Sequence, residues 1–289
     1  MTKTQTPTHQ NASSTEGSPA PGAPSVFTNI LCAVDGTLTS TAAVEMAASL
    51  ASPEGHLTLL AVTAVSGSGA YSTAAISPGR VDLVLSNAKR IADDVGVPSS
   101  TVVDPGGPPV DVLLERGSDH DLLAIGAPAT SWLGGMLTGG VATTALSQLT
   151  TPMLFARRSF TGSLKGRQIL VASDGEEGSD HIVELAGRLA QSQGAQVTLV
   201  NAVGAESKMN PRAIQAQART LQLALPNTGE PCIEPGKAWD VILDAAKHTE
   251  AALVVLGSRR LRGLHAFGSV SRRVVHDAPC SVLVIPPGQ

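Results

Sequence analysis

The chain has 289 residues, enough for one or two domains with sizeable cores. Hydrophobic residues make up 42% and charged ones 15%, which fits a globular protein, while aromatics at 2% leave the cores to Val, Leu, Ile and Ala. A formal net charge of −4 excludes general nucleic-acid affinity, which needs a basic surplus, but leaves room for a local basic patch.

Residues 1–25 are rich in Thr, Ser, Pro, Gly and Ala and have no apolar period, so a disordered tail is expected there. The opening MTKTQTPTHQ lacks the apolar stretch of a secretory signal, and no apolar run is long enough for a bilayer span. A cytoplasmic location with no membrane partner is therefore expected. Cys32, Cys232 and Cys280 show no CxxC pair and no zinc spacing, which points to reduced, buried thiols, with a redox role for Cys280 as the alternative.

Regular structure is expected to begin with NILCAVDG (29–36), an apolar run closed by Asp-Gly, and QILVASDG (168–175) repeats it. A helix follows each, with Val44, Ala47, Ala48 and Ala51 on one buried face and Ile182, Leu185, Ala186 and Leu189 on the other. Strands HLTLLAV (56–62) and QVTLVNA (196–202) come next. Second helices bury Val81, Val84, Leu85, Ala88 and Ala92, or Ile214, Ala218, Leu221 and Leu225. Short strands near 101–103 and 232–234 lead to helices starting around Pro109 and Trp239. The buried strands LLAIG (122–126) and LVVLG (253–257) precede a glycine-containing loop, a further helix and the last strands, 152–156 and 281–285.

The same unit is thus written twice, at roughly 130 residues per copy. Strands alternating with helices predict an α/β, Rossmann-like fold, a doubly wound parallel sheet in each copy. The run RRSFTGSLKGR (157–167) divides them, so domains are placed at 26–159 and 168–289 with a linker at 160–167. Ligands of such sheets bind beyond the carboxyl ends of the strands, where strand order reverses. The candidate site joins Asp35 or Asp174, closing the first strand, to the loop that starts at Gly126 or Gly257.

With these Asp-Gly strand ends, the stretch GSRRLRGLHAFGSVS (257–271) and the ending APCSVLVI in place, the chain resembles a tandem universal stress protein. The resemblance covers nearly everything after the tail and is most specific at 253–285. It implies five-stranded domains of the HUP type, joined through their last strands as an intramolecular pseudo-dimer, and a regulatory role in stress rather than a metabolic reaction. Many members bind ATP or a related adenine nucleotide, with Mg2+ on its phosphates as an option. An unidentified protein partner is implied, and a homodimer of such chains is left open.

Nucleotide-binding members carry Gly, two residues, Gly, nine residues, then Gly-Ser or Gly-Thr. Glycines admit phosphate close to the backbone, and a hydroxyl at a helix start, with its free N–H groups, suits an anion. The first copy has Gly126, Ala129 in the second glycine position, and Gly139-Gly140 after nine residues, so the hydroxyl is missing. The second has Gly257, Arg260 in that position, and Gly268-Ser269 after only seven residues. Arg259, Arg260, Arg262, Arg272 and Arg273 add charge suited to phosphate.

The resemblance therefore assigns the better-preserved site to the second copy: Ala172, Asp174, Ala202, Leu256, Gly257, Arg259, Arg260, Gly268, Ser269, Val270 and Ser271. Ala33, Asp35, Val62, Gly126, Gly139 and Gly140 form the weaker counterpart. Ala172, Ala202, Ala33 and Val62 fall on the adenine side. Each aspartate either meets ribose or a phosphate-bound metal, or closes an Asx turn. Arg260 either grips a phosphate or fills the glycine's space. Trp239 is expected to pack at a helix start, Trp132 to cover apolar surface and His265 to sit in a solvated loop. Two other functions stand beside this one: an interaction scaffold without nucleotide, and slow ATP hydrolysis, for which no general base is visible. DGTLTS and DGEEGS match no ligase or nucleotidyl-transferase loop, and no catalytic constellation or metal-ligand spacing is present.

Overall fold

The computed structural model describes residues 26–63, 76–106, 109–127, 150–158, 162–204, 211–225, 228–258 and 269–286. The first copy contributes β1 (Phe27–Ala33), α1 (Leu38–Leu50), β2 (Ala51–Val62), α2 (Val81–Asp94), β3 (Ser99–Asp104), α3 (Pro109–Gly117), β4 (Leu122–Gly126) and β5 (Met153–Ala156). The second contributes β6 (Gln168–Ala172), α4 (Asp180–Gln193), β7 (Gln196–Val203), α5 (Pro211–Ala224), β8 (Cys232–Pro235), α6 (Ala238–His248), β9 (Leu253–Gly257), α7 (Ser269–Asp277) and β10 (Ser281–Ile285).

These strands form one ten-stranded sheet in the order β3-β2-β1-β4-β5-β10-β9-β6-β7-β8. Every pairing within a copy is parallel, and the copies meet through the antiparallel pair β5–β10. At this seam Leu154 faces Leu283, flanked by Met153 with Val284 and Phe155 with Val282. Leu154 pairs with Ala124 of β4 as Leu283 pairs with Val255 of β9, so the two leucines are equivalent and lie on an internal twofold. Both are wholly buried. The doubly wound fold and the pseudo-dimer through the last strands agree with the expectation from sequence.

Helices cover both faces. One apolar cluster joins α1, α2, α4 and α5 to the sheet across both copies, and the other lies under α3, α6 and α7. The expected face of α2 is buried in full, as are Ile214, Ala218 and Leu221 along α5 and Leu225 just after it. Two details differ from the sequence reading. Ala51 is no part of the α1 face: it takes extended geometry (φ −65, ψ 142), ends α1 and begins β2, which therefore starts at 51 rather than 56. The buried surface of α1 is also wider than one stripe, taking in Ala42, Ala43 and Met46, because the helix touches α2, β4, β5 and, across the seam, α4. Alanines and a flexible methionine suit that crowding.

Candidate functional site

In each copy the chain leaves its first strand toward one neighbour and returns on the other side. β6 lies between β7 and β9, and β1 between β2 and β4. Strand order thus reverses at β6 and at β1, and ligands of doubly wound sheets bind at the carboxyl edge of such a reversal. Ala172 pairs with both Val200 and Leu256, which brings Ala172, Ala202, Leu256 and Gly257 to adjacent strand ends. Ala33, Val62 and Gly126 end the corresponding strands of the first copy. Leu256 and Val62 are buried, whereas Ala33, Ala172 and Ala202 are half-buried.

Both aspartates close turns. Asp35 Oδ1 accepts from the Thr37 N–H at 2.8 Å and from its hydroxyl at 2.6 Å, and Thr37 in turn caps α1. Asp174 Oδ1 accepts from the Glu176 N–H at 3.0 Å and from the Ser179 hydroxyl. The glycines that follow, Gly36 (φ 79) and Gly175 (φ 75), take the left-handed conformation that the turn needs. The Asx-turn reading therefore describes the local geometry of both residues.

Beneath the second turn lies a polar chain with no sequence forecast. Ser173 Oγ donates to Gln217 Oε1 at 2.6 Å and accepts from the Gly175 N–H at 3.1 Å. Gln217 Nε2 donates to Asp180 Oδ1 at 2.6 Å, and Asn201 Nδ2 donates to the Ser173 carbonyl at 2.8 Å. Ser173, Asn201 and Gln217 are all buried, and Asn201 Oδ1 has no hydrogen-bond partner. Only the polarity of Ser173 and Asn201 at the ends of apolar strands hints at this network.

At the end of β9, a Cβ on Gly257 would come within 2.5 Å of Ile182 Cδ1, a side-chain tip that can move aside. Gly126 is tighter: its Cβ would stand 2.4 Å from the Thr39 carbonyl carbon. The loop from 259 to 268 lies outside the described residues, and with it Arg259, Arg260, Arg262, His265 and Gly268, as do Trp132, Gly139 and Gly140. Ser269 opens α7, and half-buried Val270 packs on the second cluster. Ser271 is buried and its hydroxyl donates to the Gly257 carbonyl at 2.8 Å, tying the first turn of α7 to the end of β9.

Two of the arginines counted from sequence have different surroundings. Arg272 is exposed. Arg273 is exposed as well but has partners: its Nε lies 2.6 Å from Asp277 Oδ2 and its guanidinium stands 4.9 Å from the Trp239 ring centre. Lys237 approaches the same ring at 5.9 Å, so Trp239 packs at its helix start and also receives two cations.

The thiols are free, with Cys32 and Cys280 buried and Cys232 half-buried. Burial pushes Cys32 and Cys280 up to about 12, and nearby Arg157 only partly offsets this for Cys280. Burial thus disfavours the thiolate at Cys280, which weighs against the redox alternative. Among the described residues no helix is long and apolar enough to cross a membrane, and no cluster of three metal-ligating side chains occurs.

Comparison with known proteins adds the following. The universal stress protein family matches residues 27–157 and again 166–286. A universal stress protein of Thermus aquaticus is 28% identical over 134 residues, 41% of this chain and 98% of that protein. One of Synechocystis is 52% identical over 54 residues, 18% of this chain and 33% of that protein. The crystal structure of a universal stress protein from Archaeoglobus fulgidus has a TM-score of 0.67 at 17% identity, covering 90% of this chain and 98% of its own.

Proposed function

Because this chain belongs to the universal stress protein family and carries its domain twice, we propose that it is a regulatory protein whose second copy binds ATP or a related adenine nucleotide. The first copy serves as the structural partner of the second. One observation carries this reading: the ends of β7, β6 and β9 stand side by side, with α7 opening from the loop after β9 and fastened to it by Ser271.

In this reading the adenine lies along Ala172 and Ala202, and the phosphates reach the start of α7. There the unpaired N–H groups and the dipole of the helix favour negative charge, Ser269 supplies a hydroxyl, and Arg259 and Arg260 supply countercharge. Asp174, at the neighbouring strand end, faces ribose or a phosphate-bound Mg2+. The nucleotide state is read by a protein partner. A scaffold without nucleotide remains the second reading, favoured by one observation: Arg273 is already committed to Asp277 and Trp239.

Mass spectrometry of ligand released from the freshly purified full chain tests the proposal. An adenine nucleotide is expected. Ser269→Ala should reduce its retention about tenfold or more, the weight of a hydrogen bond to a charged group. Arg260→Gly separates a phosphate contact from space filling: retention falls in the first case and rises in the second. No released nucleotide, together with no binding at millimolar ATP, sinks the nucleotide reading in favour of the scaffold.

A further inference from the structure

Arg157 follows β5 at the end of the first copy, inside the charged run read from sequence as a divider, yet it is only 5% exposed. Its main-chain N–H donates to Ser281 Oγ at 3.0 Å. Its Nη2 donates to the carbonyls of Val275 at 2.6 Å and His276 at 2.7 Å, in the last turn of α7. Carbonyls at a helix end lack intrahelical partners and carry the negative end of the dipole, so a guanidinium is well suited to them. The need is acute at Val275, because the residue four positions on is Pro279, which has no N–H to offer.

The contact runs one way across the internal twofold. Ala156 pairs with Gly126 as Ile285 pairs with Gly257, so the counterpart of Arg157 is Pro286, whose side chain has no donor. The Pro286 carbonyl instead faces His181 Nε2 at 3.3 Å. Among the described residues, the terminal helix of the second copy is gripped by an arginine from its neighbour. The same helix is tied at its first turn to Gly257 by Ser271, and through Arg273 to Trp239. It is held at both ends, and one of the holds belongs to the other copy.

We propose that Arg157 is a positioning residue for the second copy's site: reaching across the seam, it fixes the C-terminal end of α7 and thereby the place of the helix start. Its bearing on ligand affinity rests on the nucleotide reading above, while the anchoring itself does not. By linkage, a ligand that orders the start of α7 also tightens the seam, and loosening the seam weakens the ligand.

Amide hydrogen exchange on the full chain without nucleotide, comparing wild type with Arg157→Met and Arg157→Lys, tests the anchor. Arg157→Met should raise exchange across 270–277 on the order of tenfold, leave β9 and β6 unchanged, and be largely rescued by Arg157→Lys. Exchange that is unchanged in α7, or that rises equally throughout the sheet, overturns the proposal. ATP affinity of the same variants tests the coupling: a several-fold loss for Arg157→Met is expected, and an unchanged affinity overturns it. If wild type binds no ATP, the nucleotide reading fails by itself and the exchange result still decides the anchor.

Discussion

Val34 and Ala61 in the first half of the sheet stand where Ser173 and Asn201 stand in the second. The first pair is buried hydrocarbon, part of the continuous core beneath α1 and α2. The second pair begins a hydrogen-bonded chain that runs through Gln217 to Asp180 and secures the turn after β6 to α5 and α4. The ends of the fourth strands differ in parallel: Gly126 is pressed against the backbone of α1, whereas Gly257 meets only the tip of Ile182. Duplication has left one half apolar beneath the turn after its first strand, and the other polar there and braced from its neighbour by Arg157. This contrast is what the proposed division of labour rests on: the first half as partner, the second as the half that holds a ligand.

Substitutions that exchange the character of the halves bear on this contrast. The largest effect is expected at the tightest glycine. Gly126→Ala forces apart backbone that has nowhere to go and should cost about 3 kcal/mol, while Gly257→Ala displaces a side-chain tip at less than about 1 kcal/mol. Urea unfolding of the two variants measures the gap, and equal costs break the comparison. Ser173→Val, which imports the residue of the first half, strands Gln217 Oε1 and should cost about 1–3 kcal/mol in the same assay. A neutral result would mean the polar chain does not secure the turn.

The smallest effect concerns Glu45 of α1, whose Oε2 is buried without a hydrogen-bond partner, and whose counterpart Glu184 is exposed. Burial raises the Glu45 carboxyl above its ordinary value of 4.5. The folded state therefore holds the proton more tightly than the unfolded one, and stability present at low pH is lost as pH rises through the folded value. Glu45→Gln should raise the melting temperature more at pH 7 than at pH 4, by the equivalent of less than about 1 kcal/mol, with Glu184→Gln unchanged at both. An equal gain at the two pH values would show that burial does not disfavour the charge.

Much of this architecture was legible in the sequence because its signals are local. Apolar runs closed by Asp-Gly mark β1 and β6, and the helical period of Val81, Val84, Leu85, Ala88 and Ala92 marks α2. Ala51 misled because alanine suits either a helix or a buried strand start, and the wide burial of α1 depends on four neighbours that no local pattern reveals. The bonds of Ser173 to Gln217 and of Asn201 to the Ser173 carbonyl join residues 44 and 28 positions apart. Arg157 looked like one more charge in RRSF, since its partners lie 118 and 119 residues away. Arg273 was counted toward phosphate because its two partners, Trp239 and Asp277, lie outside the motif. For Ser173, Asn201 and Arg157 the missing information was a long-range pairing, not a propensity.

Isothermal titration of ATP into the full chain bears most directly on the division of labour between the halves. The expected result is one nucleotide per chain, weakened about tenfold or more by Ser269→Ala and unaffected by Gly140→Val in the first half. Two nucleotides per chain, binding lost through the first-half change, or no binding at millimolar ATP would contradict it.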